Sequence, residues 1–222
     1  AKATPAQVIT AWGRLGYPRR ALRLHAAAQI IADDFNNEVP EDQETLQLLP
    51  GIGEYTAAAI AAFAFEQRSL VMDVNIRRLL VRAIDGEEHP KPATSAREKA
   101  RRLAILPEKN AHVWAAATME LGALVCTSKN PSCELCPIIG QCQWRKNGYP
   151  KTDLVRKSQD WHGTDRKCRG TIVQALRDNE SLTESAIKKL WPDESQVEKA
   201  LKTLADDLLI QRLPRNRYRL PQ

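Results

Sequence analysis

The chain has 222 residues, 43% of them hydrophobic and 27% charged, with a formal net charge of +6. That is soluble globular composition, long enough for one large core or two smaller ones. No apolar run reaches a membrane span, since the richest, Tyr55 to Phe65, is too short, and no signal-peptide pattern is present. The positive excess is spread along the chain, net +2 over residues 1–150 and +4 over 151–222. It favours nucleic acid as a partner, although a merely solvated basic surface explains it equally well.

The first 125 residues read as nearly all helix. Thr4-Pro5 is a cap followed by a first-turn proline, starting a helix through Trp12. A second helix runs from about Pro18 to Asp34, with Leu22, Ala26 and Ile30 on one face. Residues 42–49 form a short helix ending at Pro50-Gly51, and Tyr55 to Phe65 another. Ser69 to Asp73 is extended and leads into a helix from Val74 to Ile84. Thr94 and Asn110 are the expected N-caps of two more helices, ending near Leu106 and Val125. Trp144 to Asp165 is rich in Lys, Gly, Pro and polar residues and reads as a linker. Beyond it, helices are expected at Arg169 to Arg177, from Thr183 to Leu190, and from Asp193 to Asp207. Leu209 to Leu213 and Arg217 to Leu220, joined through Pro214-Arg215-Asn216, form a β-hairpin. Three helices followed by a hairpin make a winged-helix pattern.

Cys126, Cys133, Cys136 and Cys142 fall within seventeen residues as C-x6-C-x2-C-x5-C. Four thiolates so close can hold one soft metal centre. Structural zinc sites usually read as two close pairs, and here only Cys133 and Cys136 form one. The spacing therefore fits a [4Fe-4S] cluster better than zinc, and zinc better than disulfides. Cys168 lies outside the run and is expected to be a small, partly buried apolar residue.

Leu49-Pro50-Gly51-Ile52-Gly53 joins two short helices. The glycines permit a tight turn and close approach of a ligand, and the second helix presents free N–H groups there. Pro50, Gly51, Ile52 and Gly53 thus suit a DNA phosphate, contacted without reading sequence.

LPGIGEYTA (49–57), VMDVNIRR (71–78) and MELGALVCTSKNPSCELCPIIGQC (119–142) resemble, in order and separation, the helix-hairpin-helix DNA glycosylases that carry an iron–sulfur cluster. AWGRLGYPRRA (11–21) resembles the adenine glycosylase (MutY) branch. The resemblance covers about residues 1–150. It implies a mainly α fold: a helical glycosylase core over 1–125 with the helix-hairpin-helix at 42–66, and a cluster loop with its extension at 126–150. A linker at 151–165 and a winged-helix domain at 166–222 would follow.

The resemblance also implies a mechanism. A flipped-out nucleotide loses its base through a transition state with cationic sugar, stabilised by a carboxylate. Asp73 matches that carboxylate; on position alone it reads as a helix N-cap, and it can be both. Asn75 matches an asparagine that orients the carboxylate and backbone. Tyr55 stands where bifunctional relatives carry a Schiff-base lysine, so a monofunctional enzyme is implied. Tyr17 matches a tyrosine inserted into the base stack, although Pro18 replaces a second tyrosine found in many relatives. Arg19, Arg20 and Arg23 are candidates for phosphates or for a solvated helix face. Core roles are expected for Trp12, Trp114 and Trp144, and packing or surface roles for His25, His89, His112 and His162.

Two departures stand out. No Glu-x-Met-Leu-Gln-Gln-Thr-like segment, which would supply the acid for the leaving adenine, precedes Ala11, so the chain reads as N-terminally truncated and a poor catalyst. A small winged helix stands in place of the usual Nudix-like domain. The implied enzyme removes adenine opposite 8-oxoguanine or guanine, acting as a cytoplasmic monomer on duplex DNA. A thymine-removing G·T mismatch glycosylase and a non-catalytic, cluster-bearing DNA-binding fragment are the competing readings.

Overall fold

The computed structural model of the chain describes residues 1–152 and 163–222. Most of the expected linker, and His162, lie outside the described residues. The described residues fall into two compact units. One comprises Ala1–Val39, Leu49–Gly51 and residues 163–222, the other Pro40–Leu48 and residues 52–152. This grouping differs from the expected partition, because the opening helices pack with the C-terminal elements.

In the first unit, helix α1 (Pro5–Trp12) opens on a capping box between Thr4 and Gln7, with Pro5 in its first turn. Helix α2 (Arg19–Asp34) buries Ala21 and Ala27, while Leu22, Ala26 and Ile30 are only partly covered. Helix α9 (Asp165–Asp178) begins four residues before the expected start, capped by Thr164, which accepts from Lys167 N–H. The rest of this unit is strand β1 (Leu182–Thr183), α10 (Glu184–Lys188), α11 (Glu194–Asp206), β2 (Gln211–Leu213) and β3 (Arg217–Arg219). Strand β3 lies centrally, antiparallel to β1 and β2, so the expected hairpin gains a third strand.

Its core joins Cys168, Ile172, Val173, Leu176, Ile187, Val197, Leu201, Leu204 and Tyr218 to Ile9 of α1. Ile9 is wholly buried there, and its carbonyl accepts from Arg177 Nε at 3.0 Å. Burying such a side chain stabilises by about 1.5–3 kcal/mol. That packing ties the two ends of the sequence into one unit.

The second unit includes α3 (Gln43–Leu48) and α4 (Glu54–Phe65), which precede and follow the 49–53 turn in the chain. Helix α5 (Val74–Leu80) continues as a wide π turn, Val81–Asp85. Helix α6 (Ala96–Ala104) is capped by Ser95, not Thr94; Ser95 Oγ accepts from Glu98 N–H. Helix α7 (Ala111–Leu124) follows Asn110, which stands at the cap position with φ 56° but makes no side-chain cap. Val71, Ile76, Leu80, Ala62 and Ala115 form the core between α4, α5 and α7. A short 3-10 turn (Cys133–Leu135) and α8 (Gln143–Lys146) end the unit.

Trp144 belongs to this fold, not to a linker. It is buried, donates from Nε1 to the Pro150 carbonyl at 2.9 Å and meets Tyr149 edge-on. Among the described residues, no helix is long and apolar enough to cross a membrane.

Candidate active site and cysteine centre

Asp73 is the N-cap of α5, with extended backbone at φ −71° and ψ 157°. Its Oδ1 accepts from Asn75 N–H at 2.6 Å and from Ile76 N–H at 3.2 Å. Both bonds fall on Oδ1, so the second carboxylate oxygen keeps its acceptor capacity. The cap is therefore real, and it fixes the carboxylate against a helix start, where negative charge is favoured.

Tyr55, on the first turn of α4, is 46% exposed. Burial, and then the nearby Asp73 charge, push its phenol above the ordinary value of 10.0. The structure thus brings Tyr55 and Asp73 into electrostatic contact.

Asn75 departs from expectation in one respect. Its backbone N–H, not its side chain, holds Asp73; its side-chain Oδ1 accepts from Arg78 Nη2 at 2.9 Å. Arg78 also donates to the Gly122 carbonyl and, from Nε, to the Cys126 carbonyl at 2.8 Å. One turn on, Arg82 is 1% exposed and donates to the carbonyls of Glu88, Thr127 and Ser128. Its guanidinium lies 4.6 Å over the Trp144 ring and 3.4 Å from Cys126 Sγ. A buried guanidinium is tolerated only when its donors are satisfied this fully. The sequence reading missed both arginines, because their partners in the cysteine loop lie more than forty residues away. The one local signal was a run of arginines on an otherwise apolar helix.

The four cysteines come together. Cys126, Cys133, Cys136 and Cys142 line one recess, walled by Leu79, Ile138 and Ile139. All four are free thiols and partly buried. Burial, then the neighbouring Cys126, raise the Cys133 thiol; burial chiefly raises that of Cys136. Crowded thiols resist ionising together, and a multiply charged cationic centre supplies the missing compensation. Among the described residues, no group of three or more His, Cys, Asp or Glu side chains is arranged to hold a metal ion. The donor chemistry nonetheless fits a thiolate-ligated cluster: four soft donors around one recess, with the buried Arg82 cation beside the first.

The 49–53 turn places Gly51 at φ 81°, where a side chain is disfavoured. A Cβ there would also lie 2.8 Å from Arg23 Cβ. Gly53 caps α4 by backbone alone, leaving the first-turn N–H groups of α4 without a side-chain acceptor at the cap. Pro50 and Ile52 are partly buried on either side of Gly51. Glu54 is held by Lys99 Nζ at 2.5 and 2.6 Å.

In the other unit, Tyr17 is 59% exposed at φ 46°, and the Arg166 guanidinium lies 4.0 Å over its ring. Arg19 is paired with Asp207 at 3.3 Å, and Asp207 also takes Arg169. Its charge is thus shared before any phosphate arrives. Cys168 is fully buried in the apolar core, deeper than the partial burial expected.

Residues 34–63 match the helix-hairpin-helix motif family, the segment containing the glycine turn. Among solved structures, a thermostable thymine-DNA glycosylase superposes with a TM-score of 0.59 at 22% identity, over 66% of this chain and 68% of that one. A non-covalent endonuclease III–DNA complex gives 0.52 at 23%, over 66% and 72%. These likenesses establish the fold. Sequence relatives are nearer. The adenine DNA glycosylase of Mycobacterium tuberculosis (strain ATCC 25618 / H37Rv) is 44% identical over 225 residues, covering 100% of this chain and 74% of the relative. That of Mycolicibacterium smegmatis (strain ATCC 700084 / mc(2)155) is 41% identical, covering 99% and 75%. The human adenine DNA glycosylase is 38% identical over 149 residues, 66% of this chain and 27% of the relative. With the mycobacterial relatives matched from end to end of the chain, through α1 and the C-terminal hairpin alike, the chain belongs to the adenine DNA glycosylase family.

Proposed function

We propose that the protein is a monofunctional adenine DNA glycosylase, hydrolysing the N-glycosyl bond of adenine paired with 8-oxoguanine or guanine in duplex DNA. The observation that carries this reading is the match to adenine DNA glycosylases at 44% identity over the whole of this chain and 74% of the relative.

The adenine nucleotide is flipped out of the stack, and the glycosidic bond breaks with positive charge developing on the sugar. Asp73 is the carboxylate that stabilises that charge. Its cap bonds hold Oδ1, so the carboxylate is positioned before the substrate arrives. Asn75 orients it through the backbone, and Arg78 fixes Asn75 from behind. Tyr55, whose phenol feels the Asp73 charge, cannot form an imine with the sugar, so the strand stays intact. Pro50, Gly51, Ile52 and Gly53 hold a phosphate at the α4 N-terminus. Tyr17 enters the base stack, exchanging Arg166 for a nucleobase on its ring. Arg19 exchanges Asp207 for a phosphate.

Cys126, Cys133, Cys136 and Cys142 hold a [4Fe-4S] cluster. Bound there, the cluster is structural and braces a loop whose Lys129, and whose extension's Arg145 and Lys146, face DNA. The elements from α9 to β3 form a winged-helix domain.

The test is single-turnover base release by the full-length protein from A·8-oxoguanine, A·G and T·G duplexes, with borohydride trapping in parallel. Adenine release without a trapped adduct is expected. Thymine release from T·G with no adenine release, or an efficient covalent adduct, overturns the assignment.

A further inference from the structure

Four basic side chains on the first unit's helices, Arg19, Arg169, Lys188 and Lys199, have acidic partners. Asp207 takes both Arg19 and Arg169, Asp165 takes Lys199, and Lys188 lies within reach of Glu184, Glu194 and Glu198. The C-terminal hairpin has no such pair among the described residues. From Leu208 to Gln222 there are four arginines, Arg212, Arg215, Arg217 and Arg219, and no acidic residue. Among the described residues, none of the four forms an ion pair. The partners they do have are neutral: Arg212 donates to Asn216 Oδ1, Arg217 to Ser181 and Arg219 to Gln211 Oε1. Four like charges in eight residues, without counter-ions from the protein, are costly to keep unless an anionic partner meets them.

Arg217 and Arg219 share one face of β3 with Arg215 at the hairpin tip, whereas Arg212, directly opposite Tyr218, lies on the Tyr218 side. Tyr218, between Arg217 and Arg219, points into the core, so by strand alternation both arginines point away from it. They stand about 7 Å apart along β3, two residues at the strand rise. Arg215 is exposed at the tip, and both it and Asn216 have positive φ, 59° and 50°. Arginine is a poor residue for that conformation, where glycine or asparagine relieves strain. Local folding therefore does not explain its presence.

Helix α11, which a groove-reading winged helix would use, is unsuited to the same task. Its exposed face carries Glu194, Glu198 and Asp206, flanked by Asp193 and Asp207, against Lys199 and Lys202. An acidic helix is repelled from a major groove lined by phosphates.

We infer that the β2–β3 hairpin, through Arg215 and Arg219 with Arg217 pre-set by Ser181, is a second duplex-DNA contact. It grips backbone phosphates without reading sequence, while α11 stays out of the groove. This rests on the glycosylase reading for its choice of duplex DNA as the anionic partner. It adds a binding element to that reading, because the β-hairpin lies outside the glycine turn and the cysteine recess.

The experiment is the salt dependence of binding of the full chain to an undamaged duplex, compared with Arg215→Gln/Arg219→Gln. Each phosphate that the protein no longer neutralises lowers the slope of log K against log salt by about 0.9. The double variant is expected to lose about 2 from that slope and to bind on the order of ten- to a hundredfold more weakly at 0.1 M salt. Arg215→Lys/Arg219→Lys should restore most of both. Arg215→Gly separates binding from folding: it suits the turn, so its melting temperature should not fall, yet its slope should drop by about 1.

An unchanged slope in Arg215→Gly and in the double variant overturns the inference. So does loss of binding to phosphatidylserine vesicles with the DNA slope intact, which assigns the hairpin to a membrane surface. Adenine release is scored separately. A normal slope with normal release removes only the hairpin's role, whereas absent duplex binding by the full chain removes both.

Discussion

Gly122 of α7 lies so close against Asn75 of α5 that a Cβ on it would sit 2.5 Å from the Asn75 carbonyl oxygen and 2.8 Å from its carbon. No side chain fits there. The Gly122 carbonyl also accepts from Arg78, which in turn holds Asn75 and the Cys126 carbonyl. One close approach of two helices thus sets the residue beside Asp73 and the start of the cysteine loop.

Replacing Gly122 with Ala tests that approach. Alanine within a helix normally stabilises by roughly 0.5–1 kcal/mol relative to glycine. Here the methyl must displace helix backbone, and overpacking of this kind costs about 1–3 kcal/mol. Gly122→Ala should therefore lower the melting temperature, and thermal unfolding by circular dichroism reads the sign. A stabilised variant would show that α5 and α7 are not in this register.

Arg77 and Glu98 form a buried, two-pronged pair, with both bonds at 2.9 Å. The Arg77 guanidinium holds the Glu98 carboxyl below its ordinary value of 4.5, against the opposing effect of burial. A carboxyl with a depressed folded value stabilises the fold above the unfolded value. That stabilisation is lost as pH falls from about 4.5 through the lower folded value. Glu98→Gln leaves Arg77 buried without its counter-charge, costing on the order of 3 kcal/mol at pH 7. Denaturant melts at pH 7 and pH 3.5 should show a large difference between wild type and variant that narrows with acid.

Tyr55 supplies a titration that reports on Asp73. Its phenol is raised by burial first and by Asp73 second. Asp73→Asn should lower the Tyr55 value while leaving it above 10.0, read by tyrosinate absorbance against a Tyr55→Phe reference. Because the folded value is raised, Tyr55 costs nothing below the unfolded value and weakens the fold as pH rises past it. No change in the titration on removing the Asp73 charge would separate the two residues.

For the cysteine recess, the expected protein is brown, with broad absorbance in the blue and four irons per chain. Cys136→Ser should lose most of the iron. A colourless protein with one zinc and no iron would contradict the cluster.

The sequence made legible what is local. Thr4, Asp73, Thr183 and Asp193 each accept a backbone N–H within three residues, so their helix starts could be read directly. Spacing likewise sufficed to gather the four cysteines. Non-local relations stayed hidden. Arg177 binds the Ile9 carbonyl across 168 residues, and no local pattern announces that α1 will join the C-terminal core. Arg78 and Arg82 are closed in by cysteine-loop carbonyls more than forty residues further along the chain. Strand β1, two residues long, is too short to carry an alternation. Thr94 was the expected cap; the structure uses Ser95 instead, the frame that sends Glu98 to Arg77.

The central claim is that Asp73 stabilises the transition state of adenine release, beyond capping α5. Its most direct test is single-turnover adenine release from an A·8-oxoguanine duplex by the full-length protein and its Asp73→Asn variant, with duplex affinity measured alongside. Asparagine can still accept the cap bonds, so the fold and binding should persist. The rate should fall by at least about 10²–10³-fold, as for loss of one group aimed at developing charge. A variant that binds normally and releases adenine at close to the wild-type rate would leave Asp73 as a helix cap and nothing more.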